Sequence, residues 1–156
     1  MHATQDQPFS KFYTATEADY GELTELWEAS ARETHGFVAS GDIDAIKREF
    51  RERYLSGATV VYTRDGDGVI AGCVGVAGDK IEMVFVLPKY IGMSIGKRLF
   101  MHAVFELKAR RLDVNEQNES AVGFYLRQGC RVVGRSAVDA DGRPYPVLHM
   151  ECLYAD

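Results

Sequence analysis

Cysteine is scarce: Cys73, Cys130 and Cys152 are odd in number, lack the spacing of metal ligands, and sit in no recognisable nucleophile context. They read as buried thiols of a reducing compartment, and no metal is expected. Basic charge is also in deficit, with 18 Lys and Arg against 23 Asp and Glu, a net charge of −5 and a pI near 5.4. That argues against an extended nucleic-acid surface, although Lys97 and Arg98 form a local basic patch suited to a phosphate ligand. No apolar run approaches the length of a membrane span, and the opening M-H-A-T-Q-D-Q-P has no basic stretch leading into an apolar one, so a cytoplasmic protein with no membrane attachment is expected. Internal repeats, low-complexity tracts and linkers are missing too. With 46% hydrophobic and 26% charged residues, residues 1–156 read as one domain able to bury a core without staples.

What is present is a clear alternation of periods. A short strand-like run lies within Phe9 to Ala15, and Thr16 is placed to cap a helix in which Leu23, Leu26, Trp27 and Ala31 recur at helical spacing as far as Thr34. His35-Gly36-Phe37 interrupts it. A second helix is expected after Gly41, with Ile43, Ile46, Phe50 and Tyr54 on its buried side and a solvated charged face opposite. Strands follow over Ala58–Thr63, Val69–Ala77 and Lys80–Val86, separated by turns at Asp65–Gly68 and Gly78-Asp79. A largely buried helix is expected from Ser94 to about Arg110, with Leu99, Phe100, Ala103, Val104, Phe105 and Leu107 as its apolar residues. A strand at Arg111–Val114, a helix from Asn118 to Gln128 stopped by Gly129, and a final hairpin of Arg131–Val138 and Tyr145–Leu153 complete the chain. The order β-α-α-β-β-β-α-β-α-β-β makes an α/β composition built as an α+β mixed sheet, whose one parallel pair comes from the crossover between the strands ending at Val86 and Val114. Ligands of such sheets bind where connections diverge beyond the carboxyl ends of neighbouring strands.

The stretch Glu82 to Leu99 leads from a strand through a glycine-bearing loop directly into that helix. Gly92, Ser94 and Gly96 let the backbone approach an anion, and the first turn of the helix carries N–H groups without partners. A tight connection alone would look the same. ATP or NAD fits poorly, because no Lys-Ser/Thr pair follows the glycines and the sheet order is not that of a dinucleotide fold.

Two segments carry a family resemblance. I-G-M-S-I-G-K-R-L, Ile91 to Leu99, resembles the acetyl-CoA loop of the GNAT superfamily of N-acetyltransferases, and Asn118, Ala121, Tyr125 and Gly129 match the superfamily's second signature in order and spacing. V-N-E-Q-N-E-S-A-V-G-F-Y, G-R-S-A-V-D-A-D-G-R-P-Y-P and the T-H-G-F at Thr34 to Phe37 are similar to the small bacterial YjaB-type subgroup. The resemblance implies the GNAT acyl-CoA N-acyltransferase fold, acetyl-CoA as acetyl donor, and direct sequential transfer to a primary amine of a small-molecule or peptide acceptor. It implies cofactor contacts from Phe85, Val86, Ile91, Gly92, Met93, Ser94, Ile95, Gly96, Lys97, Asn118 and Tyr125. Two positions depart from the pattern: Ile91 replaces an Arg or Gln, and Ser94 replaces a Gly, which costs stability if that residue needs φ > 0.

The chemistry needs a neutral amine and a proton for the departing thiolate. Tyr125 lies two helical turns after Asn118, so both share a face; the resemblance makes Tyr125 the acid, while a core aromatic beside Phe124 is the plain alternative. Asn118 is an ordinary helix cap whatever else it touches. Glu82 is the candidate base, expected on one strand face with Val84 and Val86, where apolar neighbours raise a carboxyl pKa; a partly exposed strand carboxylate with a surface partner is equally open. His35 is the second candidate, as base or acceptor contact, and His102 and His149 read as structural. A catalytically weak CoA-binding or sensing module of the same fold is the competing reading, and the C-terminal hairpin offers apolar surface for a homodimer.

Overall fold

The apolar periodicities resolve, in a computed structural model that describes residues 8–34 and 40–152, into seven strands and four helices among the described residues. They are β1 (Tyr13–Thr14), α1 (Tyr20–Thr34), α2 (Ser40–Glu49), β2 (Thr59–Arg64), β3 (Ile70–Ala77), β4 (Lys80–Val86), α3 (Ile95–Phe105), β5 (Arg111–Asn115), α4 (Glu119–Arg127), β6 (Cys130–Ser136) and β7 (Val147–Cys152). Short 3₁₀ turns at Glu17–Asp19 and Pro88–Tyr90 and a π-helical turn at Phe50–Tyr54 join them. The element order is the expected one. The strands form one sheet in the order β1-β2-β3-β4-β5-β7-β6, antiparallel except for β4 and β5. The last strand therefore inserts between β5 and β6.

Each face of the sheet has its own core. Val74 of β3 and Leu112 of β5 pack with Leu99, Phe100 and Ala103 of α3 and Tyr125 of α4 on one side. Ile70 and Cys73 of β3 pack with Leu23, Leu26 and Trp27 of α1 and with Phe50 on the other. β3 is buried along all but its last residue, as a central strand covered on both faces must be. Gly72 lets α3 come close: a Cβ there would stand 3.0 Å from Leu99 Cδ1 and 3.0 Å from the Phe85 carbonyl.

Several boundaries differ from the expectation. α3 ends at Phe105 rather than near Arg110, because Lys108 takes a left-handed φ of 62° and the Ala109 N–H turns back to the Ala103 carbonyl at 3.0 Å. Phe105 is consequently 45% exposed instead of buried. The final hairpin is shorter than expected at both strands, and α2 begins at Ser40. The side chain of Tyr54 and the His35-Gly36-Phe37 interruption lie outside the described residues.

The turn between β2 and β3 holds the entrance to the glycine loop. Asp65 Oδ1 accepts the N–H groups of Asp67 and Val69 at 2.9 and 3.0 Å, and its Oδ2 accepts the Tyr90 hydroxyl at 2.7 Å. Phe9 meets the Tyr90 ring edge-on at 5.0 Å. Burial opposes the charge on Asp65, but the Tyr90 hydroxyl and the two backbone donors outweigh it and hold the carboxyl below its usual value. A carboxyl depressed by folding adds stability that is complete above its unfolded pKa of about 4 and is lost as pH falls through the folded value. Asp65→Asn should therefore lower the unfolding free energy at pH 7 and flatten its fall between neutral and acid pH, read from urea unfolding at several pH values.

Candidate active site

The parallel pairing of β4 with β5 covers only Lys80 with Arg111 and Ile81 with Leu112. Beyond Ile81 the β5-facing edge of β4 has no strand partner, and the two strands part. Two cavities open on either side of this gap. The first, about 560 Å³, lies on the α3 and α4 side, lined by Glu82, Val84, Val86, Gly92, Ser94, Gly96, Lys97, Asn118, Phe124 and Tyr125 among others. The second, about 450 Å³, lies on the α1 and α2 side and is lined by Trp27, Ile43, Phe50, Lys80, Tyr145 and His149 among others. Glu82, Met83, Phe85, Asp113 and Asn115 border both, so the cavities meet in the gap.

At one end of the first cavity the loop enters α3. Gly92 takes φ 92° and Ser94 takes φ 65°, ψ 10°. The first N–H of the helix to bond back is that of Arg98, to the Ser94 carbonyl at 3.1 Å, so the N–H groups of Ile95, Gly96 and Lys97 have no acceptor within the helix. With the positive end of the helix dipole behind them, they make a cradle for an anion. Ser94 is the N-cap residue, and its hydroxyl makes no capping bond. The side chain of Ile95 belongs to the core, 2% exposed, and can offer a ligand only its backbone. Ile91 and Met93 stand out into solvent, and Ile91 alone of the two borders the cavity.

At the other end, Asn118 caps α4, its Oδ1 accepting the Ala121 N–H at 3.2 Å. Tyr125 is buried, with its ring 6.0 Å from Phe100 and 5.3 Å from Phe124. Burial pushes its phenol pKa up, and the adjacent Cys130 and Cys152 add to the shift. Tyr125 is thus a core aromatic that also borders the cavity.

Glu82 is the extra residue of a β-bulge: Gly75 pairs with Met83 and Val76 with Ile81, leaving Glu82 without an opposite number. Glu82 still lines the first cavity together with Val84 and Val86, and it borders the second as well. The bulge reverses the alternation, so Ile81 joins the α3-side core and Met83 the α1-side core, and Glu82 sits at the crossing where both cavities meet it. His35 lies outside the described residues. His102 packs edge-on against Phe12 at 5.1 Å, in keeping with a structural role.

The second cavity brings in residues that spacing alone did not single out. Trp27 stacks on Phe50 at 5.6 Å, and Phe50 meets Phe85 at 5.8 Å, giving an aromatic wall. The β6–β7 connection leans over it: the Tyr145 hydroxyl donates to Asp42 of α2, and Arg143 reaches Asp141 at 3.0 Å and Glu49 at 3.9 Å. Asp113, Ser136 and His149 form its far side. The available signal was the alternation of β7, where Met150 and Cys152 face the core and His149 must face away.

The chain matches the family model described as an acetyltransferase (GNAT) domain over residues 28–153. It is 36% identical over 129 residues to the peptidyl-lysine N-acetyltransferase YjaB of Salmonella typhimurium, covering 82% of this chain and 88% of that protein. With the Escherichia coli YjaB the identity is 33% over 129 residues, covering 83% and 87%. The solution structure of apo YjaB from Escherichia coli superposes with a TM-score of 0.82 at 30% identity, over 93% of this chain and 98% of that one. The PaiA N-acetyltransferase of Thermoplasma acidophilum, solved with coenzyme A, has the same fold, with a TM-score of 0.73 at 19% identity over 92% and 98% of the two chains.

Ser94 in the left-handed region stores strain that glycine would not. Ser94→Gly should raise stability by about 1 kcal/mol, seen as a rise of roughly 2–4 °C in the thermal midpoint. A lowered midpoint would show that the serine makes compensating contacts.

Proposed function

Because the chain belongs to the GNAT acetyltransferase family, we propose that it moves the acetyl group of acetyl-CoA directly onto the side-chain amine of a lysine in a peptide or protein. The observation that carries this reading is the pair of cavities meeting at the unpaired edge of β4: one would take the donor, the other the amine, and they join where Glu82 stands. The names of the YjaB relatives support peptidyl lysine as the acceptor.

The residues present suit the donor. The free N–H groups of Ile95, Gly96 and Lys97, with Gly92 and Ser94 beside them, would hold the pyrophosphate, and the exposed Lys97 ammonium adds charge. The Phe85 and Val86 backbone would take the pantetheine amides as an added strand fills an open edge. Acetyl-CoA supplies a thioester, whose carbonyl carbon the amine attacks. A main-chain N–H near Val86 would stabilise charge on the carbonyl oxygen. Tyr125, kept protonated by its burial, donates to the departing sulfur.

On the acceptor side, Trp27 and Phe50 cover the aliphatic stem of a lysine, as aromatic walls do for snorkelling side chains. Glu82 meets the head: its carboxylate draws in the ammonium and offers, through water, one base for its proton.

Incubation with acetyl-CoA and lysine-containing peptides should release CoA thiol in step with acetylation of the lysine amine, followed by mass spectrometry. Thiol release without a modified peptide would contradict the reading. Tyr125→Phe should lower kcat by about a hundredfold or more while acetyl-CoA affinity, measured by calorimetry, stays within about twofold.

A further inference from the structure

Four polar side chains cross the sheet in a hydrogen-bonded row along the second cavity, one from each of β4, β5, β7 and β6. Lys80 Nζ lies 2.6 Å from Asp113 Oδ2, Asp113 Oδ1 lies 2.7 Å from His149 Nδ1, and His149 Nε2 lies 2.7 Å from Ser136 Oγ. Strand register places Asp113 directly opposite His149, while Leu112, Val114 and Met150 alternate into the core behind them. The His149 ring lies over Gly134, where a Cβ would stand 3.5 Å from its Cδ2.

The direction of the row follows from its chemistry. Burial opposes ionisation of Asp113, but hydrogen bonds from Lys80 and His149 outweigh it and hold the carboxyl below its usual range. A carboxylate can only accept, so His149 Nδ1 donates to it. The neutral ring then presents a bare Nε2, so the Ser136 hydroxyl donates to that nitrogen and keeps its own lone pairs for another donor. Ser136 and His149 both line the cavity assigned above to the acceptor.

We propose that Ser136, His149 and Asp113 form a proton relay for the acceptor amine, a reading that rests on the amine acetylation proposed above. An N–H bond of the bound ammonium breaks as Ser136 Oγ takes that proton, and the hydroxyl proton of Ser136 passes to His149 Nε2. The nitrogen keeps the electron pair and becomes a neutral amine, the serine is restored, and Asp113 stabilises the imidazolium. Glu82 then serves chiefly to hold the cation. The charged and titratable groups around His149 are Asp113 and Lys80 beside it, Glu82, Glu49, Asp139 and Asp141 with Tyr145 around the cavity, and Glu151 on its own strand, which pairs with Arg131.

The test combines pH–rate profiles for acetylation of a lysine peptide with nitrogen-15 NMR of the imidazole. In the wild type, the kcat profile should show an acid limb, and the neutral ring should carry its proton on Nδ1. His149→Gln should lower kcat about tenfold or more near neutrality and abolish that acid limb, and Ser136→Ala should lower kcat severalfold. Both variants should keep wild-type affinity for acetyl-CoA, and Glu82→Gln should raise KM for the peptide while the limb survives. An acid limb unchanged in His149→Gln, or a neutral ring protonated on Nε2, overturns the relay alone. A wild type that binds acetyl-CoA yet acetylates no lysine peptide overturns the amine reading and the relay with it.

Discussion

Two strands that pair for two positions and then part are the constraint on which this molecule depends. A parallel ladder continued to Val86 would satisfy the backbone of β4 and close the sheet. Ending it at Ile81 leaves main-chain hydrogen-bonding capacity facing an opening with a cavity on each side. In a buried setting such capacity requires a partner, and a ligand with amide groups can supply one.

Other features keep that opening in place. The bulge at Glu82 transfers β4 from one core to the other within a single residue, so Met83 and Phe85 anchor the strand in the core around Phe50 while Val84 and Val86 line the first cavity. Behind it, Gly72 admits Leu99 and Ile95 of α3 close to β3, which fixes the helix N-terminus at the end of the cavity. The left-handed Ser94 is the local cost of that approach. A well-packed helix tolerates it because Ile95, Leu99 and Phe100 are almost wholly buried.

The order of elements and the two chemical segments were legible because each is local: apolar periods of two and near four, turns marked by Asp-Gly, and a cap at Asn118 followed by a helix ending at Gly129. The end of α3 was not, because it is made by a lysine in the left-handed region, where sequence leads one to look for glycine. The bulge at Glu82 was hidden for a related reason, since neither glycine nor proline marks the extra residue and a simple alternation puts Ile81 and Met83 on one face, whereas they belong to opposite cores. The row through His149 depends on β7 lying between β5 and β6, a pairing between residues far apart in the chain. Read along the sequence, His149 is one polar residue in the last strand; read across the sheet, it stands between a carboxylate and a hydroxyl.

The central claim is that the unpaired edge of β4 and the first turn of α3 together hold the acetyl donor. Amide hydrogen exchange with and without acetyl-CoA tests it most directly. Slowed exchange is expected in the Glu82–Val86 segment and at Ile95 to Lys97, with α1 and β2 unaffected. Exchange at both of those segments left unchanged at saturating acetyl-CoA would contradict it.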